Sequence, residues 1–223
     1  MAIIAAHFLV GKQYSKMQEQ NDMSTVVYAD LHIHTVYSSD SLIQPKSLID
    51  MLLAHNFIKV AAVTDHDSVR ACKVTMALAS AYPDILIIPG VEVSTTAGDM
   101  LILGTEELPP KPWSPQEVSD YAKSIDAISI VAHPYRIYGM GDIARTIKVD
   151  AIEVLNGNST VAANQRAKQM AKEENLPGTA GSDAHQASEL FSVYTQIQAD
   201  LNIDSILHAI RKGLISTRSK ENR

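Results

Sequence analysis

The sequence predicts an α/β protein, a single domain on a largely parallel sheet that is either open or closed into a barrel. Three observations predict it. Short apolar runs alternate with amphipathic helical patterns along the chain. Most of those runs are β-branched and apolar throughout, as strands buried on both faces are. The 223 residues give room for one larger α/β domain.

The runs read as strands are VVYADLHI from Val26, KVAAVTD from Lys59, DILIIPGVEVS from Asp84, DMLILGT from Asp99, AISIVAH from Ala127, DAIEVLN from Asp150 and PGTAGSD from Pro177. SVYTQIQ from Ser192 is an eighth candidate. Helical patterns fall between several of them. QPKSLIDMLLAHN places Pro45 in a first turn and Leu48, Met51 and Leu52 on one side. SVRACKVTMALASAY has Asp67 or Ser68 as its expected N-cap. SPQEVSDYAKSID carries a capping box, with Ser114 as N-cap, Pro115 at the first position and Glu117 three residues on. TVAANQRAKQMAKEEN and DSILHAIRKG complete the set.

The ends are read separately. The apolar stretch Ala2 to Val10 is too short to span a bilayer, lacks a basic leader and contains His7, so no signal peptide is expected. Residues 1–25 are taken as an N-terminal extension, with Met23 as an alternative start; 26–215 as the domain; and 216–223 as a polar tail that frays. Lys and Arg total 19 against 25 Asp and Glu, a formal charge of −6, and that balance excludes the basic footprint of binding along double-stranded DNA. A hydrophobic fraction of 46% argues against disorder. The lone Cys72 allows no internal disulfide and suits a reducing cytoplasm.

The eight histidines of this acidic chain are the informative residues. The first strand ends Asp30-Leu-His32-Ile-His34, and a two-residue period puts all three side chains on one face. Two imidazoles and a carboxylate converging inside a sheet predict a metal site, because buried polar clusters without a task are rare. The second strand ends Thr64-Asp65-His66-Asp67, the third carries Glu92 inside an apolar run, the fifth ends His133-Pro134 and the seventh ends Ser182-Asp183-Ala184-His185. Each alone is weak: TDHD reads equally as a helix cap and GSDAH as a turn. Together, at strand ends, they mark the face where (β/α) barrels assemble their sites. Imidazole and carboxylate without thiolate fits Zn, Mn or Fe. The donors are too many for one ion and suit two or three ions about 3.5–4 Å apart.

These residues resemble the PHP family, the polymerase and histidinol phosphatase domain, through ADLHIHTVYSSDS, AVTDHD, PGVEVS, VAHPYR, IEVLNGNS and AGSDAH in that order. The resemblance runs from about Tyr28 to the last helix. It implies a distorted (β/α)7 TIM-like barrel with a di- or trinuclear metal centre and phosphoesterase activity. It implies His32, His34, Asp40, His66, Glu92, His133, Asp183 and His185 as metal ligands, and Asp65 as a proton-handling residue or a support beside His66. Many members have a further histidine after the sixth strand; Asn156 and Asn158 stand there, and Asn156 is expected to ligate through its carbonyl. Ser39-Asp40-Ser41 replaces the usual S-D-G but keeps the carboxylate. Only 41 positions separate Glu92 from His133 (133 − 92), too few for the inserted domain some members carry there.

The expected chemistry is hydrolysis of a phosphomonoester or phosphodiester, of a small metabolite or nucleotide, by a metal-activated water. Asp65 or Asp67 would carry the proton to the leaving group. Arg136, three residues past His133, would grip phosphate, with a loop salt bridge as the bland alternative. His7, His55 and His208 are read as structural or solvated, Cys72 as an inert small hydrophobe, and Trp113 as the lead-in to its helix or a rim residue. Two other readings compete. An amidohydrolase-like C–N hydrolase would offer a bridging lysine on the fourth strand, which DMLILGT lacks. A non-catalytic metal-binding regulatory module would keep the ligands without the chemistry.

Overall fold

Nine strands form one sheet. They are β1 (Val26–Ile33), β2 (Val60–Val63), β3 (Leu86–Thr95), β4 (Gly98–Leu103), β5 (Ile128–Val131), β6 (Ala151–Asn156), β7 (Gly178–Gly181), β8 (Val193–Gln198) and β9 (Ile215–Ser219). Their order is β7-β6-β5-β4-β3-β2-β1-β8-β9. The computed structural model describes residues 25–220, so most of the expected N-terminal extension, with His7, lies outside the described residues. The helices are α1 (Pro45–Ala54), α2 (Arg70–Ala79), α3 (Pro115–Ser124), α4 (Val161–Glu173) and α5 (Ile203–Arg211).

The sheet curls until its ends meet. Beyond β7, the Asp183 N–H donates to the His32 carbonyl at 2.8 Å and the His34 N–H to the Ala184 carbonyl at 3.0 Å. Lower down, β8 pairs with the first half of β1, and the Thr195 hydroxyl both donates to the Ala180 carbonyl and accepts from its N–H. The result is the distorted seven-stranded barrel implied by the resemblance, with β8 and β9 appended. Side chains from its strands meet Ile206, Leu207 and Ile210 of α5 in the interior core, so α5 plugs one end. The flank at β1–β3 is covered by α1 and α2, and the flank at β3–β6 by α3 and α4.

Three expectations are corrected. The sheet is mixed rather than uniformly parallel: β4 is antiparallel to both β3 and β5, and β8 to both β1 and β9. Only Thr96 and Ala97 join β3 to β4, a hairpin-length link that excludes a crossover. Gly98 serves that turn, at φ +132, where an added Cβ would lie 2.5 Å from the Met140 nitrogen. The expected tail is ordered as far as Ser219, because 215–219 pair with 193–197 as β9. The expected cap of α2 is absent: Val69 holds the N-cap position, and Asp67, at φ +48, instead accepts the Ser94 N–H. The Ser114–Glu117 capping box of α3 forms as read.

One irregularity decides which residues face inward. The β1–β2 register shifts between Asp30 and Ile33, a bulge that reverses strand alternation. Below it Ala29 and Leu31 face the interior core; above it Ile33 packs in the outer layer. His32 and His34 therefore enter the barrel while Asp30 does not.

Candidate metal centre

Strand parity brings the polar residues together at the carboxyl end of the barrel. Glu92 continues the inward row of Ile88 on β3. Asp99 shares the parity of Leu101 and Leu103 on β4, and Glu153 that of Ala151 on β6. His66, His133, Asp183 and His185 follow the ends of β2, β5 and β7. His133 and Asp183 turn into place with positive φ, +27 and +55, a strained backbone that tertiary structure must hold.

At the centre four atoms face one another. The His32 Nε2 lies 3.1 Å from the His34 Nε2, 3.2 Å from Glu92 Oε2 and 3.4 Å from Asp183 Oδ1. The His34 Nε2 lies 3.1 Å and 3.2 Å from those same oxygens. Both oxygens are buried and neither has a hydrogen-bond partner among the described residues. Two orphaned carboxylate oxygens inside a barrel are costly. These five separations of 3.1–3.4 Å suit donors that share one divalent cation. The donor set fits a divalent cation.

The electrostatics agree. Burial opposes ionisation of Glu92 and Asp183, yet the neighbouring histidines hold both well below the usual carboxylate range. Burial likewise opposes charge on His34, but Asp183 and Glu92 override it and lift its pKa to about 9. The cluster attracts positive charge.

Of three further groupings, one joins His32 and His133 to Glu153 and two flank the centre. His34, His66 and His185 bring ring nitrogens within 4.8 Å of one another, and Asp40 Oδ2 lies 3.3 Å from the Nε2 of both His66 and His185. On the other side Glu92, Asp99 and His133 form a triad, with His133 Nε2 at 2.9 Å from Glu92 Oε1 and the buried Nδ1 of His133 without a hydrogen-bond partner among the described residues. All eight residues implied as ligands thus converge, and Glu92 belongs to two groupings.

Two expected roles change, those of Asn156 and Asp30, and one, that of Asp65, is narrowed. Asn156 is turned the wrong way to ligate. Its Oδ1 accepts from the Asn158 N–H and the Ser159 hydroxyl, which fixes the amide, and its Nδ2 donates to Glu153 and Asp183. Asp65 is a brace. Its oxygens accept from the Thr35 N–H at 2.6 Å, the Thr35 hydroxyl at 2.7 Å and the Ser38 hydroxyl at 2.9 Å. Ser38 in turn reaches the His34 Nδ1 and accepts the His66 N–H. Fully buried and held by three hydrogen bonds from Thr35 and Ser38, Asp65 takes the supporting one of its two expected roles. Asp30 stays out of the cluster, accepting the N–H groups of Ser182 and Phe191 across the barrel's closure; burial lifts its pKa to about 6 against those bonds.

Two residues escaped the sequence reading. Asp99 was hidden by the reversal of β4, though its parity with Leu101 and Leu103 was visible. Glu153 stands in IEVLNGNS without a histidine beside it. Its Oε1 lies 3.0 Å from the His32 Nδ1 and its Oε2 accepts the His133 backbone N–H, so it orients the His32 ring and holds the backbone at His133. Gly181 makes room for this: an added Cβ would sit 2.3 Å from the His32 Cβ. Arg136 reaches Asp183 Oδ2 as an ion pair. His55 caps α1 and its Nδ1 accepts the Ile58 N–H, and His208 is exposed on α5; neither joins the cluster. Trp113 packs against the α3 flank, its indole donating to the Pro109 carbonyl.

The fold and site together define a TIM-like barrel carrying a cluster of metal-ligand type at the carboxyl ends of its strands. The chain belongs to the PHP-domain family. The family model described as PHP-associated matches residues 161–215. The uncharacterized protein MJ1587 of Methanocaldococcus jannaschii is 31% identical over 140 residues, 57% of this chain and 81% of that protein. MJ0417 of the same organism is 27% identical over 186 residues, 78% of this chain and 72% of that protein. Two solved structures share the fold. One, from Bifidobacterium adolescentis, is named as a putative metal-dependent phosphoesterase (TM-score 0.59, 14% identity, 70% of this chain and 87% of that one). Another is an amidohydrolase from Chromobacterium violaceum with bound sulfate and no metal (TM-score 0.62, 17% identity, 86% and 99%). Among the described residues no helix is long and apolar enough to cross a membrane.

Proposed function

We propose that the protein is a metal-dependent phosphoesterase acting on a phosphomonoester or phosphodiester of a small metabolite or nucleotide. The observation that carries this reading is the four-atom set of His32, His34, Glu92 and Asp183, with two orphaned oxygens, beside the guanidinium of Arg136. The proposed ligands are His32, His34, Asp40, His66, Glu92, His133, Asp183 and His185, with Asp99 added beside Glu92 and His133. This set suits two or three ions of Zn, Mn or Fe. Bound divalent ions supply Lewis acidity and lower the pKa of water toward neutrality.

The chain's own residues supply position. Glu153 and Ser38 hold the outer nitrogens of His32 and His34, so that both Nε2 atoms aim inward. Asp65 keeps Ser38 and Thr35 in place beneath them. Arg136 makes a single side-chain hydrogen bond, to Asp183, among the described residues, and a guanidinium has five N–H donors. The remaining donors are available to bind phosphate oxygens and orient phosphorus toward the cluster. His66, His185, Asp40, Arg136 and Asp99 are the partly exposed members, so substrate enters on their side.

The C–N hydrolase reading is disfavoured because β4 turns Asp99 inward and carries no lysine. Cys72, buried with its thiol pushed up to about 11 by burial, is no nucleophile and fits a reducing cytoplasm. The test is hydrolysis of a panel of phosphomonoesters, phosphodiesters and short oligonucleotides by protein supplied with Mn or Zn. The reading expects turnover that chelation removes, and that His32→Ala and His185→Ala abolish. Turnover unchanged in both variants would refute it, and full metal occupancy without any phosphoesterase activity would favour the regulatory module.

A further inference from the structure

Among the described residues, five large apolar side chains are more than half exposed: Leu42 (77%), Ile137 (80%), Tyr138 (94%), Ile143 (52%) and Val161 (74%). A surface normally scatters such residues. Here all five lie in segments that leave the carboxyl ends of β1, β5 and β6, the end that holds the cluster. Three of them adjoin its polar arms along the chain. Leu42 stands two residues past Asp40, and its N–H donates to the His185 carbonyl at 2.9 Å. Ile137 and Tyr138 follow Arg136 in a turn that starts at His133, closed by Arg136 N–H to the His133 carbonyl and Gly139 N–H to the Arg136 carbonyl. Tyr138 holds φ +66 there, a conformation unfavourable for a bulky residue, and its ring is left in solvent.

We infer that Leu42, Ile137 and Tyr138 are specificity determinants that select phosphate esters of an apolar, ring-bearing alcohol. The inference rests on the phosphoesterase reading and names the substrate class for that same site. Cationic and apolar groups alternate within a few residues, so one ligand meeting both must be anionic at one end and apolar at the other. The guanidinium of Arg136 takes the phosphate end. The neighbouring Ile137 and Tyr138, with Leu42 beside His185, take the alcohol, whose apolar area they remove from water. Polar alcohols such as polyols gain nothing from these side chains.

The test uses the full chain loaded with Mn and two esters of primary alcohols, benzyl phosphate and glycerol 1-phosphate, which differ chiefly in the apolar ring. The wild type is expected to favour benzyl phosphate in kcat/KM by roughly 10- to 100-fold, the range a small apolar group commands in a pocket. The double variant Ile137→Asn with Tyr138→Ser, and separately Leu42→Asn, are expected to shrink that ratio several-fold through KM for the benzyl ester. Metal content and kcat/KM for glycerol 1-phosphate stay at the wild-type value. Turnover of both esters with a ratio indifferent to these variants overturns the inference and leaves the phosphoesterase reading standing. Loss of both turnovers together in the variants overturns it too, since that marks a general role for the rim. No turnover of either ester by the loaded wild type overturns both statements.

Discussion

β1 carries two kinds of polar residue, one on each side of its bulge, and they behave differently. Below it, Asp30 is fully buried and its acceptors are used by the N–H groups of Ser182 and Phe191. Above it, His32 and His34 face Glu92 and Asp183, equally buried, each with one oxygen that nothing in the described structure satisfies. Both regions bury charge at a cost. In the first, hydrogen bonds from the chain offset the cost and the group serves the fold. In the second no chain hydrogen bond reaches one oxygen of each carboxylate, and the partner we propose for them is a cation. An unsatisfied buried oxygen thus separates a site from a structural network better than burial or residue type does.

Substitutions can break this comparison. Glu92→Gln is expected to lower activity by roughly three orders of magnitude or more, as removing an essential group does, while the chelated protein keeps its melting temperature. Asp30→Ala is expected to do the converse. Leaving the backbone N–H groups of Ser182, Phe191 and His32 without this acceptor costs about 2–4 kcal/mol, read as a lower midpoint in urea with metal stoichiometry intact. If Glu92→Gln unfolded the protein, or Asp30→Ala emptied it of metal without destabilising it, the distinction between the two regions would fail. Glu153→Gln probes the border between them: it keeps the volume but weakens the hold on the His32 ring. Metal affinity should fall about 10- to 100-fold, as for other supports of ligating histidines, measured by competition with a chromophoric chelator. Unchanged affinity would make Glu153 part of the fold network instead. Gly181→Ala pushes a methyl at the His32 Cβ. It is expected to destabilise by about 1–3 kcal/mol and to weaken metal binding by a smaller factor than Glu153→Gln. A silent substitution would mean that β7 can retreat from β1 freely.

The same comparison explains what the sequence could disclose. His32, His34, His66, His133, Asp183 and His185 were legible because each stands at the carboxyl end of an apolar run, where topology alone brings strand ends together. Glu92 was legible because a lone acid inside an apolar strand needs a partner. Asp99 was not, because a two-residue period reports which face a side chain takes and says nothing of strand direction; the short Thr96–Ala97 link held that information. Asp30 was assigned to the wrong face because the bulge between Asp30 and Ile33 is a register property set by β2, invisible in β1 itself. Asn156 was misplaced, and Asp65 left between support and proton carrier, for a third reason. Both have the chemistry of a ligand or a proton carrier, and their local hydrogen bonds to Asn158 and Ser159, or to Thr35 and Ser38, set their roles.

The central claim is that the four-atom set around Glu92 Oε2 and Asp183 Oδ1 is a cation site. The most direct measurement is the metal-to-protein ratio, by mass spectrometry of the elements, of the wild type and Glu92→Gln after loading with Mn or Zn and exhaustive dialysis. The account predicts two or three ions retained per wild-type chain and at least one fewer in the variant. A wild type that retains no divalent metal, or a Glu92→Gln chain that retains the wild-type complement, would contradict it.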